Sequence, residues 1–225
     1  MGRNQGDNMQ LKDWISDYYR LAGRLTDADG YDGWMIGKCI WKCDISKPIS
    51  ETTDDITLTE ANRDNRYAVL KSSLYKDGYK LSLELHVVKP YSDCYSENGN
   101  INDKRLKNET NGSLSDKEYI EYTEHAFTNA EILEFVDKVH DKNSIHRDNN
   151  AVVPGLLLLK WVSSQDVGEP ESSFNVKVRF KKPVYAGEAV RLCGIQNEKQ
   201  HMYTGCVMRV SEGEDEAFSM LCSYK

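Results

Sequence analysis

The chain has 225 residues, 39% of them apolar and 10% aromatic, with a net charge of −7. That is enough apolar matter for one large domain or two small ones, and it excludes a globally disordered chain. The acidic balance excludes a generic nucleic-acid binder, which needs a basic face to displace counterions, and fits a soluble cytoplasmic protein.

The first residues are polar and carry no apolar core of a signal peptide. The longest strongly apolar run, 151–159, is far short of the roughly 20 residues a spanning helix needs, so no membrane partner is expected. The six cysteines, Cys39, Cys43, Cys94, Cys193, Cys206 and Cys222, show no Cys-x-x-Cys pairing. They read as reduced thiols, with no metal site.

Leu11, Trp14, Ile15, Tyr18, Leu21 and Leu25 recur at helical spacing, which predicts an amphipathic helix over at least 9–21. The turn-rich stretch 27–33 ends it. Over 34–45, Met35, Cys39, Trp41, Cys43 and Ile45 share one parity and Lys38, Lys42 and Asp44 the other, as in a strand with one buried face. A short strand over 55–59 and a hairpin over 67–88, turning at Asp77-Gly78, follow. No central helix shows among these strands. Residues 93–117 are rich in Asn, Asp, Lys, Ser and Gly and cannot offset their ordering entropy by burial. They read as a polar linker between a β-rich segment, 1–92, and a second domain, 118–225.

That second domain opens with a strand over 119–123. Thr128 and Glu131 then form a capping box, and Phe127 and Ile132 have the spacing of a hydrophobic staple. Ile132, Leu133, Val136 and Val139 supply the apolar stripe of the helix so capped. After a polar loop, 141–150, residues 152–162 are apolar on nearly every side, as in a buried helix. A second polar loop, 163–172, leads to strands over 174–180, 189–195, 201–210 and 217–224. A buried helix wrapped by an antiparallel meander is an α+β layer arrangement.

Chemistry concentrates in the loop 141–150, where Asp141, Asn143 and His146 fall within six residues. A carboxylate beside an imidazole can hold and deprotonate a water. At the start of the next helix, Gly155 lets a ligand oxygen approach free N–H groups, where the helix dipole favours negative charge. The pairing suits addition of water to, or its elimination from, a carbonyl-conjugated double bond. On these residues alone, a solvated turn is the alternative. Lys177, Arg179, Lys181 and Lys182 form a dense basic cluster, either the solvated face of a strand or a landing site for carrier phosphates. His86, His125, His140 and His201 lack metal-ligand spacing.

Asp141-Lys142-Asn143-Ser144-Ile145-His146 resembles the D-x-N-P-[IL]-H signature of MaoC-like dehydratases and type 2 enoyl-CoA hydratases. Residues 127–136 resemble that family's capped helix. Val153-Pro154-Gly155-Leu156-Leu157 resembles the glycine-bearing start of its central helix, and 178–188 its R-F-x-x-P-V-x-x-G-[DE] segment. These stretches occur in the family's order. The resemblance implies a hot-dog fold, an antiparallel sheet wrapped around a buried central helix. Hot-dog sites lie between paired units, so it implies either a homodimer or a first segment that is a degenerate second hot-dog.

The implied activity is hydration of 2-enoyl thioesters, or dehydration of (R)-3-hydroxyacyl thioesters, on coenzyme A or acyl carrier protein and without a cofactor. By resemblance, Asp141 and His146 activate the water and Asn143 orients it or braces the loop. Gly155 supplies the N–H for the thioester carbonyl. Ser163 orients an active-site carboxylate. Pro154, Ser163, Lys177 and Arg179 are the expected substrate-side residues. Three departures stand out: Ser144 replaces the signature's proline, Pro154 replaces a histidine, and the nine-residue step from His146 to Gly155 is shorter than usual. Thioester hydrolysis on the same fold, or a non-catalytic acyl-thioester-binding or partner subunit, are the alternatives.

Overall fold

The computed structural model describes residues 11–45, 56–61, 63–76, 79–90, 120–166, 173–196, 200–209 and 213–224. Helix α1 (Leu11–Thr26) precedes strands β1 (Met35–Asp44), β2 (Thr57–Ala61), β3 (Tyr67–Lys76) and β4 (Tyr79–Val88). Then come β5 (Ile120–Ala126), α2 (Asn129–Lys138), a single 3-10 turn (Ser144–His146) and α3 (Gly155–Asp166). Strands β6 (Phe174–Phe180), β7 (Ala189–Gln196), β8 (Gln200–Arg209) and β9 (Gly213–Tyr224) complete the order. The expected linker, 93–117, and the Asp77-Gly78 turn lie outside the described residues.

Alternating side chains bury one face of each strand, and the buried faces align. In β1 the buried residues are Cys39, Trp41 and Cys43. Cys39 stands opposite Leu85 of β4 and Val178 of β6, and Trp41 opposite Leu83 and Val176. Strand β1 therefore joins residues from both sides of 93–117. The described strands form one antiparallel sheet in the order β2-β3-β4-β1-β6-β9-β8-β7-β5. Burial pushes the Cys43 thiol up to about 12 and the Cys39 thiol further still, so both stay protonated and act as small apolar groups.

The helix missing from the β-rich segment is α1, which packs on β3 and β4 through buried Leu21, Ala22 and Leu25. It precedes every strand it covers, so the periodicity between 34 and 88 holds no trace of it. The Ser72 hydroxyl donates to the Leu21 carbonyl at 3.0 Å. Tyr18 donates to the Leu156 carbonyl at 2.6 Å, tying α1 to the first turn of α3.

Helix α2 has its capping box. Glu131 N–H donates to Thr128 Oγ1 at 3.2 Å, and Thr128 N–H donates to Glu131 Oε2 at 2.8 Å. Its buried stripe is Ile132, Phe135, Val136 and Val139, whereas Leu133 is 40% exposed. Leu133 follows Ile132 by one residue, about 100° round the helix, and so leaves the stripe that Phe135 occupies. Helix α3 starts at Gly155 rather than 152, because Val152 forms a bridge with Tyr185. It runs to Asp166, into the stretch expected as a polar loop. Leu156, Leu157, Leu158, Leu159 and Val162 are all buried. An antiparallel sheet around a buried, mostly apolar helix is the hot-dog arrangement.

Candidate active site

The end of α2 sets the position of Asp141. His140 adopts a left-handed φ of 55°. The His140 N–H donates to the Asp137 carbonyl at 3.2 Å, and the Asp141 N–H to the Val136 carbonyl at 2.7 Å. This pair of bonds is a Schellman closure, with histidine where glycine is usual. The Asp141 carboxylate is thereby aimed back over the next residues. Its Oδ1 accepts the Asn143 N–H at 2.9 Å, leaving Oδ2 to face His146.

His146 is the last residue of the 3-10 turn, only 7% exposed. Its Nδ1 lies 2.6 Å from the Val152 carbonyl. A carbonyl only accepts, so the proton is on Nδ1 and the lone pair on Nε2. Nε2 stands 3.7 Å from Asp141 Oδ2. Burial holds the imidazole below its ordinary value of 6.5 despite the opposing pull of Asp141. The site therefore sets an unprotonated imidazole nitrogen beside an acidic side-chain oxygen, Asp141 Oδ2.

Asn143 is spent on bracing. Its Oδ1 accepts the Gly33 N–H at 2.9 Å, and its Nδ2 donates to the Trp34 carbonyl at 2.8 Å. Beside it, the Ser144 N–H and hydroxyl both donate to Asp32 Oδ1 at 2.8 Å. These two bonds hold the Asp32 carboxyl below the usual carboxylate range.

Gly155 opens α3. The Leu157 and Leu158 N–H groups both turn to the Pro154 carbonyl, at 2.9 and 3.1 Å. Among the described residues, no backbone carbonyl takes the N–H of Gly155 or Leu156. Phe180 and Ile36 pack on the glycine, and a Cβ there would meet Phe180 Cζ at 3.0 Å.

Asp141, Asn143, His146 and Gly155 line one cavity of about 330 Å³. Its apolar lining comes from both parts of the sheet and both long helices: Leu25 of α1, Leu70, Leu85 and Val87 of β3 and β4, Leu156 and Leu158 of α3, and Phe180 of β6. The β-bulge between Ile36 and Lys38 lies at the same place.

The remaining expected residues stand elsewhere. Lys177 and Arg179 alternate with buried Val176 and Val178 and do not line the cavity. Lys181 and Lys182 line it instead. Strand β6 ends at Phe180, and both lysine N–H groups fold onto the Ala217 carbonyl, which breaks the alternation. Lys181 is paired with Glu216 at 2.6 Å. Pro154 flanks the cavity without lining it, and Ser163 is buried along α3 with its hydroxyl unpartnered. Asp32, Gly33, Trp34 and Phe180 belong to the site, yet their local sequence signals only a turn and a strand end.

No family model matches the chain, and no curated protein sequence matches it. Solved structures do. HtdX from Mycobacterium tuberculosis matches with a TM-score of 0.61 over 92% of this chain and 86% of that one, at 14% identity. A MaoC-like dehydratase from Phytophthora capsici matches at 0.53 over 88% and 74%, at 13% identity. An acyl-ACP thioesterase from Bacteroides thetaiotaomicron matches at 0.54 over 99% and 93%, at 10% identity. These likenesses establish the hot-dog fold for the chain. Among the described residues, no helix is long and apolar enough to cross a membrane, and no side-chain cluster suits a metal ion.

Proposed function

We propose that the protein hydrates 2-enoyl thioesters, or dehydrates (R)-3-hydroxyacyl thioesters, in the manner of the MaoC-like dehydratases. The observation that carries this reading is the pair of acceptors, Asp141 Oδ2 and His146 Nε2, 3.7 Å apart at an apolar cavity that also holds Gly155. A water donating one hydrogen to each keeps a lone pair for attack on C3. As the C3–O bond forms, His146 Nε2 takes the water's proton. The π electrons move toward the thioester oxygen, where the Gly155 N–H stabilises the charge. The imidazolium then returns its proton to C2, and dehydration runs the same steps backwards. The cycle involves no net oxidation or reduction and transfers no phosphoryl group, so it needs no cofactor.

The cavity is at the small end of ligand pockets, about 300–1,000 Å³, which supports a short acyl group. Residues 1–92 act in this reading as a degenerate second hot-dog that completes the site, so a homodimer is not required for the site itself. Carrier phosphates, of coenzyme A or acyl carrier protein, meet Lys182 and Lys142 at the cavity rather than Lys177 and Arg179. The setting is a soluble, cytoplasmic one.

The test is the loss of enoyl absorbance of crotonyl-CoA and longer enoyl-CoAs with wild type, Asp141→Asn and His146→Ala. Each substitution should lower kcat by about 10²- to 10⁴-fold. Wild type inactive at every chain length would refute the reaction, and full activity in both variants would refute the site. A thiol-release assay beside it detects hydrolysis, since the same water could instead attack the thioester carbonyl. Saturable thioester binding with neither reaction would identify a binding subunit.

A further inference from the structure

We infer that Asp32 is a positioning residue for the candidate catalytic loop: its carboxylate, held by both donors of Ser144, sets where His146 and Asp141 stand. The inference rests on the proposed site. Asp32 lies between α1 and β1, whereas the loop it holds follows α2. Four hydrogen bonds of 2.8–2.9 Å link Asp32, Gly33 and Trp34 to Asn143 and Ser144, across more than a hundred residues of chain. Gly33 takes a φ of 74°, so the turn that presents Asp32 depends on glycine there.

The link to the chemistry is short. Ser144 is the first residue of the 3-10 turn and His146 the last. The His146 N–H donates to the Asn143 carbonyl at 3.3 Å, and the Arg147 N–H to the Ser144 carbonyl at 2.9 Å. The Asn143 N–H holds Asp141 Oδ1 at 2.9 Å. A shift of Ser144 therefore moves both acceptors that grip the water.

Nothing covalent fixes this turn. Asn143 has φ −64° and ψ 118°, the conformation a residue before proline adopts, and Ser144 begins a helical turn, where proline is well tolerated. A proline at 144 would hold the same backbone through its ring, without offering Asp32 a donor. The carboxylate contact and a ring at 144 are thus alternative ways to hold one geometry, and this chain has the first.

The experiment compares wild type, Asp32→Asn, Asp32→Ala and Asp32→Ala/Ser144→Pro. It measures kcat and KM on crotonyl-CoA, and hydrogen exchange at the His146 and Arg147 amides. In Asp32→Ala, kcat should fall by about 10- to 100-fold with KM little changed, and both amides should lose protection. Asp32→Asn keeps an acceptor oxygen and should retain most of both, and Ser144→Pro should restore both to the alanine variant. Wild-type kcat and protection in Asp32→Ala would overturn the inference. So would a loss of thermal stability alone, or failure of both asparagine and proline to rescue. If wild type turns over no enoyl thioester, the proposed reaction fails, and amide exchange still decides whether Asp32 holds the loop.

Discussion

A methyl group added at Gly155 tests the packing and the chemistry of the site together. The new Cβ would lie 3.0 Å from Phe180 Cζ, 3.2 Å from Cε2 and 3.4 Å from Ile36 Cδ1. Carbon pairs pack best at about 3.5–4.0 Å, so the Phe180 ring must give way by several tenths of an ångström. Its far edge is the part in contact and the residue is only half-buried, so the ring can move. Overpacking of this kind costs about 1–3 kcal/mol. Replacing glycine in a helix returns about 0.5–1 kcal/mol, and less in the first turn. The net loss is about 0.5–2 kcal/mol, or about 1–8 °C in Tm for a chain of this size. Activity should suffer more. The methyl and the displaced ring both occupy the approach to the helix N–H groups, and kcat/KM on crotonyl-CoA should fall by about 100-fold. Adding Phe180→Leu should recover part of the stability loss, giving a measurable coupling between the two positions. Wild-type Tm and wild-type kcat/KM in Gly155→Ala would refute both the close packing and the role of the helix start.

On the proposed reaction, His146 should make activity and stability pH-dependent in a defined direction. Its folded pKa lies below the ordinary 6.5, so as pH falls the unfolded chain takes up the proton first. Its contribution to stability is complete above pH 6.5 and is lost as pH falls through the lower folded value. The acid limb of kcat/KM should lie below pH 6.5 and vanish from the residual activity of His146→Ala, and a limb above 6.5 would contradict a buried neutral imidazole. His140→Gly should raise Tm, because glycine adopts the left-handed φ of 55° without the penalty of about 1 kcal/mol that a side chain carries. Thr128→Ala removes the acceptor for Glu131 N–H and should cost about 1 kcal/mol in denaturant unfolding.

Much of the local structure was legible in residue order because it arises from short-range periodicity. The Thr128–Glu131 cap, the alternation of β1 and β6, and the apolar run that opens the helix at Gly155 each rest on neighbours within a few residues. The same is true of Asp141, Asn143 and His146, which one loop brings together whatever the fold. Local pattern failed where a choice depended on distant packing. It put Leu133 in place of Phe135 on the buried face of α2. It also singled out Lys177 and Arg179, whereas the chain bends after Phe180 and carries Lys181 and Lys182 to the cavity.

The amino-acid order by itself determined the elements, the catalytic candidates and the glycine at the helix start, since each follows from backbone preference and side-chain spacing. Only the tertiary structure decided that β1 joins the two parts of the sheet and that α1 covers β3 and β4. Only it decided that the turn at Asp32 grips Ser144 and that the protonated Nδ1 of His146 faces the Val152 carbonyl. Such contacts bring together groups far apart along the chain or fix the burial of a ring. Burial and pairing of that kind depend on the whole core closing at once, which no local periodicity encodes.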